Sequence, residues 1–353
     1  MTKQIPTMTV NGPVDVESLG RVLMHEHMVF DFSMMRAEPE TEEEASYFDR
    51  PLSMELVSFL RFHPFLVRDN MVNTDEDLVV EELGYVTRVG GGTIVDPTNR
   101  SIGRDPLALR RIAERTGLNI VMGAGYYTQK ALDEEFDTAH PEIIAAEIIR
   151  DVTIGVGETG IRSGIIGEVG TSAPITLAEE LSLRGAAMAQ AETGAPLMVH
   201  IDGWGREGHR VLDIVESEGG DAARTVLCHM NPSWEDEGYQ AGLIERGAFI
   251  EYDMLGNNQV YPEPMGPSPD EIVCIGAIAK HLRAGRGSQI LLSQDVFLKM
   301  MFRRFGGHGY AHIMANLGRM FTDAGITPDD LDSMLIDNTR RILANEQIMS
   351  MDR

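Results

Sequence analysis

The sequence is poor in cysteine, in basic residues and in long apolar runs. Its 353 residues include two cysteines, Cys228 and Cys274, too few for a disulfide framework, so we expect a reducing compartment. Lysine and arginine number 30 against 55 acidic residues, a formal net charge of −25. This balance argues against nucleic acids and anionic membranes, because both select basic surfaces. No segment approaches the ~20 apolar residues of a membrane span, and Met1–Asn11 lacks a signal-peptide core, so we predict a cytoplasmic protein.

Helical stretches alternate with short apolar runs that end in polar residues, which predicts a parallel sheet covered by helices. Counting the run before His25 there are eight, which predicts an α/β fold closed into a (β/α)8 TIM barrel, a single domain over residues 1–353. An open doubly wound sheet is the alternative, but no Gly-x-Gly-x-x-Gly turn follows the first strand. The other predicted strands are Gly92–Asp96, Asn119–Gly125, Gly164–Glu168, Pro196–His200, Thr225–His229, Ala248–Asp253 and Gln289–Asp295.

Three segments lie outside this alternation. The start predicts an N-terminal β-hairpin over about 7–22, with a turn at Gly12-Pro13. Residues of about 28–73 are rich in Met, Phe and acids and have few strand signals. So long an excursion predicts a lid or binding loop, with a surface insertion of no function as the alternative. The tail after Asp329 predicts an amphipathic closing helix.

Two histidines, His25 and His27, end the first predicted strand with one residue between them. Because side chains alternate along a strand, both imidazoles can face one metal ion if the segment is extended. Four other predicted strands also end in ligand-type residues, and in TIM barrels the reactive groups lie at that face. A helix cap or a core hydrogen bond would explain any one of them, but six together predict a metal site. The four others are Glu168, His200, His229 and Asp295.

Six ligands exceed the four that one tetrahedral ion takes, so the pattern predicts two divalent ions that share a bridge. A carboxylate has two oxygens and can bridge, whereas an imidazole has one free nitrogen and cannot. Glu168 is therefore the predicted bridging ligand. We expect zinc as the metal, with manganese, cobalt and iron as alternatives.

Four motifs occur in order along the chain. They are Gly12-Pro13 through Leu19-Gly20 into Leu23-Met24-His25-Glu26-His27, then Gly123-Ala124-Gly125-Tyr126-Tyr127, Gly167-Glu168-Val169-Gly170-Thr171-Ser172, and Gly306-Gly307-His308-Gly309-Tyr310-Ala311-His312-Ile313. With these motifs nearly the whole chain resembles the phosphotriesterase family of the amidohydrolase superfamily, and more closely its phosphotriesterase-related branch. The resemblance implies a distorted (β/α)8 barrel, a binuclear divalent site at the C-terminal face of the strands, and a homodimer.

The resemblance also implies a role for each ligand. His25, His27 and Asp295 would hold the more buried ion, His200 and His229 would hold the more exposed one, and Glu168 and a hydroxide would bridge them. Two positions depart from the phosphotriesterases proper. Their bridging lysine is replaced by Glu168, as in the related branch, which argues against phosphotriester turnover. Met254 stands after Asp253 where those enzymes have a proton-relaying histidine, so a relay from Asp295 must take another route.

The predicted reaction is attack of the metal-bridging hydroxide on a carbonyl of a small-molecule substrate, with Asp295 as the catalytic group that takes the proton and returns it to the leaving group. A lactone or carboxylic ester is the favoured substrate. The alternatives are an amidase for a small N-acyl compound, a phosphoester hydrolase, and a non-catalytic small-molecule binding protein.

Residues after the strands offer candidate substrate contacts, and Tyr127 is the first choice among four aromatic candidates that include Tyr126, Trp204 and Trp234. No lysine or arginine occurs from Gly247 to Ala279, where the resemblance implies that a phosphorylated-lactone hydrolase would carry one. We therefore expect an uncharged or carboxylate-bearing substrate. Surface charge is the favoured role of four cations that could contact an anion, Arg206, Lys299, Arg303 and Arg304. His308 and His312 are predicted to be structural, and Cys228 a core residue.

Overall fold

The structure is a computed structural model that describes residues 5–132, 136 and 140–348. Its strands are β1 (Pro6–Thr9), β2 (Gly12–Asp15), β3 (Arg21–Leu23), β4 (Phe30–Asp31), β5 (Val72–Asn73), β6 (Gly91–Asp96), β7 (Asn119–Met122), β8 (Ile166–Gly170), β9 (Leu197–His200), β10 (Thr225–Leu227), β11 (Phe249–Tyr252), β12 (Val260–Tyr261), β13 (Gly266–Pro267) and β14 (Ile290–Leu292). Its helices are α1 (Glu42–Ala45), α2 (Met54–Leu60), α3 (Arg68–Met71), α4 (Glu76–Arg88), α5 (Pro106–Thr116), α6 (Pro141–Thr153), α7 (Leu177–Thr193), α8 (Gly208–Ser217), α9 (Glu237–Glu245), α10 (Glu271–Arg283), α11 (His312–Asn316), α12 (Gly318–Asp323), α13 (Pro328–Asp332) and α14 (Asn338–Leu343).

Eight parallel strands close into a barrel, which confirms the predicted (β/α)8 fold. They form two arcs, β3-β6-β7 and β8-β9-β10-β11-β14. At one seam the Gly164 amide donates to the Met122 carbonyl at 2.9 Å. At the other seam the Asp295 amide donates to the His25 carbonyl at 3.1 Å. Closure brings the ends of the first and last barrel strands side by side, and with them His25 and Asp295.

The barrel interior is filled by apolar side chains that point inward from alternate strand positions. Cys228 lies among them as a free buried thiol, in agreement with the sequence analysis. The lower end is closed by Ile342 and Leu343 of α14, which follows α13 through a π-helical turn at Ser333–Asp337. The predicted closing helix is therefore present as α13 and α14. The inward set includes Val22, Met24, Val95, Val121, Ile165, Met198, Val226, Phe249 and Leu291.

The N-terminal hairpin is shorter than predicted, and its turn lies elsewhere. Gly12 and Pro13 belong to β2, where Pro13 pairs with Met8, so the prediction of a turn at Gly12-Pro13 is wrong. The Thr9 hydroxyl donates to the Gly12 carbonyl at 2.7 Å and accepts from the Asn11 amide at 3.2 Å. Because Thr9 pairs with Gly12, the turn lies at Val10-Asn11. Residues after Asp15 leave the hairpin and enter the barrel as β3.

The long segment after β3 is closed at its base by two short antiparallel strands, β4 and β5, which pair Phe30 with Asn73. The Asn73 side chain also donates to the Met28 carbonyl at 2.7 Å. Helices α1, α2 and α3 lie between those strands. The segment is thus an ordered excursion rooted beside the end of the first barrel strand. Among the described residues, no helix has the length and apolar composition needed to cross a bilayer.

Candidate metal centre

The six predicted ligands meet at the C-terminal end of the barrel. His25 and His27 directly follow β3, and Glu168 lies within β8 rather than at its end. His200 ends β9 and is half-buried, while the other five are buried. His229 and Asp295 follow β10 and β14 with positive φ angles of 59° and 47°. Such angles are unfavourable for residues other than glycine, so the surrounding structure must hold these two side chains in place.

The carboxylate of Glu168 lies at the centre of the group. One oxygen, Oε1, is 3.3 Å from His27 Nε2. The other, Oε2, is 3.2 Å from His200 Nδ1, 3.5 Å from His25 Nε2 and 3.7 Å from His229 Nε2. Asp295 Oδ1 completes the group at 3.4 Å from His27 Nε2 and 3.7 Å from His25 Nε2. The two oxygens of Glu168 thus face different sets of imidazoles, as a bridging carboxylate requires.

This donor set fits divalent metal ions. His200 Nδ1 and His229 Nε2 approach to 2.7 Å, and the buried Nε2 of His25 has no hydrogen-bond partner. Imidazole nitrogens and carboxylate oxygens within 4.8 Å of one another form several overlapping groups here, among them His25, His27 and Glu168. Imidazole and carboxylate are the ligands that zinc and its neighbours prefer. Orphaned nitrogens that converge in this way are explained by cations between them.

Without metal, the pKa values of the ionisable groups in the centre shift strongly. Burial alone would lower the pKa of His27, but hydrogen bonds to Asp295 and Glu168 outweigh it and raise the pKa to about 9. Burial would also lower the pKa of His229, but the Asp253 carboxylate outweighs it and raises the pKa to about 10. Burial would raise the pKa of Glu168, yet the facing histidines hold it well below its usual range. The metal-free centre therefore holds protons that bound cations would displace.

Outer contacts orient the imidazoles. His27 Nδ1 lies 2.8 Å from the Thr98 hydroxyl, which leaves Nε2 directed at the centre. Asp253 places Oδ1 3.1 Å from His229 Nδ1 and Oδ2 3.4 Å from His25 Nδ1. Carboxylates that hold the second nitrogen of a ligating histidine fix its tautomer and ring direction. This role of Asp253 was not predicted, although a carboxylate at a strand end was a visible signal.

Glu26, between the two histidines, holds the backbone that carries Asp295. Its Oε1 accepts from the Ser293 hydroxyl at 2.8 Å and from the Gln294 amide and side chain at 2.9 and 2.7 Å. Its Oε2 accepts from the Val296 amide at 2.9 Å. Because strand alternation turns Glu26 away from the metal centre, it reaches the neighbouring strand instead. Sequence reasoning missed this clamp, since its partners are more than 260 positions away.

A cavity of about 210 Å³ opens onto the centre. Tyr127 and Trp204 line it as predicted, and the Tyr127 hydroxyl lies 3.2 Å from His200 Nδ1. Tyr126 instead donates to Glu147 outside the cavity at 2.6 Å. Trp234 and the four candidate anion-contacting cations are not among its lining residues. The lining residues that sequence reasoning missed include Phe32, Phe65, Lys130, Tyr261, Met265 and Phe297.

The remaining singled-out histidines lie elsewhere. His308 lies in the loop before α11 and His312 begins that helix, so the two do not occupy one helical face. His312 Nε2 lies 2.9 Å from Glu271, while burial lowers the pKa of His308 to about 3. No group of metal-ligating atoms within the described residues includes either one.

A model of the phosphotriesterase family matches residues 6–343. The chain belongs to the phosphotriesterase family. An N-acetyltaurine hydrolase from Tetraodon nigroviridis is 33% identical over 338 residues, which cover 95% of this chain and 97% of that protein. The crystal structure of a resiniferatoxin-binding protein from Rhodobacter sphaeroides is 44% identical, with a TM-score of 0.94 and coverage of 96% and 95%. A lactonase from Listeria monocytogenes, 22% identical with a TM-score of 0.77, shares the fold over 96% of this chain and 99% of that one.

Membership of the phosphotriesterase family agrees with the buried His, Glu and Asp groups of the centre and supports metal-dependent hydrolysis. The resemblance inferred from the sequence motifs is thereby confirmed. These relatives carry names of different activities, so membership of the family does not specify the bond that is cleaved.

Proposed function

We propose that this chain hydrolyses a carboxylic ester or lactone at a binuclear divalent-metal centre. His25, His27 and Asp295 would hold one ion, His200 and His229 the other, and Glu168 would bridge them. The observation that carries the proposal is the position of the Glu168 carboxylate, which contacts histidines assigned to both ions. Its Oε1 faces His27, and its Oε2 faces His25, His200 and His229. Two cations held there would supply an acidified water and polarise a carbonyl oxygen.

Two residues of the chain have catalytic roles in this proposal. Asp295 lines the cavity and faces His27, so its carboxylate accepts the proton of the attacking water and returns it to the leaving oxygen. Burial, with the nearby Glu168 charge, raises the pKa of Tyr127 well above its ordinary value. Its hydroxyl therefore keeps its proton and can donate a hydrogen bond to the substrate. Met254 lines the cavity where a histidine relay would stand, so Asp295 is the proton carrier.

An ester or lactone is favoured over an amide by the chemistry of the leaving group. An amine must gain a proton before it can leave, whereas an alkoxide leaves more readily, so the same attack cleaves an ester with a lower barrier. Amide hydrolysis is the second candidate, because the curated relatives at 33% identity carry the name N-acetyltaurine hydrolase. Non-catalytic binding is a third, favoured by the name of the structure at 44% identity. A small-molecule substrate, zinc, a homodimer and a cytoplasmic location stay predictions.

The test measures bound metal by elemental analysis, together with hydrolysis of matched lactones, aryl esters and N-acyl amides, N-acetyltaurine included. We expect two divalent ions per chain and turnover of esters or lactones. Glu168→Ala should lose most of the metal and the activity, while the exposed control Asp213→Asn should keep both. If the protein hydrolyses only amides, amide hydrolysis replaces ester hydrolysis as the proposed function. Full metal loading without any hydrolysis would overturn catalysis in favour of binding.

A further inference from the structure

The cavity wall is a continuous run of aromatic rings. Phe32 contacts Tyr127 at a centroid distance of 5.9 Å and Phe297 at 5.3 Å. Phe65 follows at 6.4 Å from Phe297 and 6.2 Å from Tyr261. The run ends where Trp204 meets Tyr261 at 5.5 Å. The six rings come from five segments far apart in the chain, namely the excursion after β3, the loops after β7, β9 and β14, and strand β12, so the tertiary structure assembles the wall.

Trp204 is the most exposed ring of this wall. It is half-buried, whereas the other five are buried. Its backbone amide donates to Asp202 Oδ1 at 3.0 Å, which fixes the start of the loop that carries it. Its position at the mouth, against the edge of Tyr261, leaves ring surface facing the cavity. An indole in this setting is suited to stacking against a flat apolar group.

Charge around the cavity disfavours an anionic group. Lys130 is the only lysine or arginine among the described lining residues, and it is exposed. Asp202 also lines the cavity and adds a negative charge close to Trp204. Burial of an anion without a paired cation is costly, and the aromatic wall offers none.

We propose that the cavity selects an uncharged carbonyl substrate whose acyl group carries a single aromatic ring, held against Trp204 and Tyr261. This inference rests on the proposed function and names its substrate class. The cavity of about 210 Å³ is smaller than the ~300–1,000 Å³ typical of sites for drug-sized ligands, so it suits a small substrate with one ring. The ring replaces water along the aromatic wall, and the ester carbonyl then lies towards Tyr127 and the ligands. Trp204 and Tyr261 are thus specificity-determining residues.

The first experiment compares three methyl esters with the metal-loaded protein, namely methyl acetate, methyl phenylacetate and methyl 4-sulfophenylacetate. Burial of one phenyl ring should raise kcat/KM for methyl phenylacetate on the order of 10- to 100-fold over methyl acetate. The sulfonate should remove most of that gain. Equal kcat/KM for all three esters would overturn the inference and leave the proposed function intact, as would a preference for the sulfonated ester.

A binding experiment separates the two proposals. In a Trp234→Phe background Trp204 is the sole tryptophan, because the sequence has two. Phenylacetone has the same ring and a carbonyl but no leaving group, so it cannot be hydrolysed. It should change the Trp204 emission saturably, and acetone should not. Saturable binding without hydrolysis of any ester would sink the proposed function and retain the ring site, whereas no change with phenylacetone would overturn the ring site.

A pair of variants tests Trp204 directly. Trp204→Leu should raise KM for methyl phenylacetate by about 10-fold, with a smaller effect on methyl acetate and full metal content. Trp234→Phe is the matched control, since Trp234 does not line the cavity, and both kinetic constants should stay unchanged. An equal loss on both esters would assign Trp204 a structural role and contradict its role in specificity.

Discussion

Asp253 Oδ1 lies 3.1 Å from Nδ1 of His229. The same carboxylate accepts from the His229 backbone amide and faces His25 with its second oxygen. One residue thereby orients two predicted ligands that are assigned to different ions. The facing histidines hold the pKa of Asp253 below its ordinary value against the effect of burial, so it stays ionised. Loss of this one carboxylate should weaken both halves of the centre.

Asp253→Asn should therefore reduce metal affinity by about 10- to 100-fold, as expected for a carboxylate that holds ligating histidines. The measurement is metal content at a series of buffered free-metal concentrations. Asp213→Asn, an exposed acid on α8, is the control and should not change the affinity. Unchanged affinity in Asp253→Asn would show that the histidines are held without it.

Glu26→Gln should lower both stability and metal content. One amide group cannot replace two oxygens that accept four hydrogen bonds, so we expect a loss of about 2 kcal/mol in the free energy of unfolding. Asp295, on the same backbone, should lose its position. Urea unfolding and elemental analysis measure the two effects.

Glu82→Gln is a matched control for that prediction. Glu82 is also buried, and it accepts from the backbone amides of Arg303 and Arg304 at 3.0 and 2.9 Å. It does not line the cavity, so its variant should lose stability and keep its metal. Equal metal content in both variants would contradict the role assigned to Glu26.

His281 should make the protein less stable in acid. Its Nε2 lies 2.8 Å from Gln240 Oε1, and Arg286 donates to its Nδ1 at 3.0 Å. Burial, followed by the Arg286 charge, lowers its pKa from 6.5 to about 4. As pH falls from 6.5 towards 4 the unfolded chain takes up a proton that the folded chain does not, so stability is lost over that window and is fully present above it.

The loss attributable to His281 is at most about 3 kcal/mol. Urea midpoints between pH 7 and pH 4 should therefore fall more steeply for the native protein than for His281→Gln. The metal content of the variant at pH 7 serves as the control and should be unchanged. Parallel pH profiles would mean that His281 takes no part in this dependence.

Cys228 should be dispensable for chemistry. Burial raises the pKa of its thiol well above the ordinary value, and its Sγ lies 3.7 Å from Glu251 inside the barrel. Cys228→Ala should lose about 1 kcal/mol of stability and keep ester turnover within about two-fold. Cys274→Ala, at the other buried cysteine, is the comparison. Abolished turnover in a folded, metal-loaded Cys228→Ala protein would contradict the proposed mechanism.

The sequence by itself determined the barrel and the metal-type side chains that meet at its end. Apolar runs at regular spacing leave few topologies other than a parallel barrel, and ligands at strand ends must meet at one face because parallel strands share a direction. The six side chains that could be named for that reason are His25, His27, Glu168, His200, His229 and Asp295. The sequence specified the hairpin less well. The Thr9 hydroxyl bonds within the turn, and Gly12 and Pro13 pair in β2 instead of forming the turn.

Only the tertiary structure decided what surrounds those ligands. The partners of Glu26 and Asp253 lie on neighbouring strands, and strand neighbours depend on register, which periodicity does not specify. Four rings of the aromatic wall were missed for the same reason, whereas Tyr127 and Trp204 were predicted. The missed rings belong to segments that become adjacent only when the barrel closes, and they are Phe32, Phe65, Tyr261 and Phe297. Repeating local patterns thus specify elements and their shared ends, whereas packing between distant segments specifies what the site can bind.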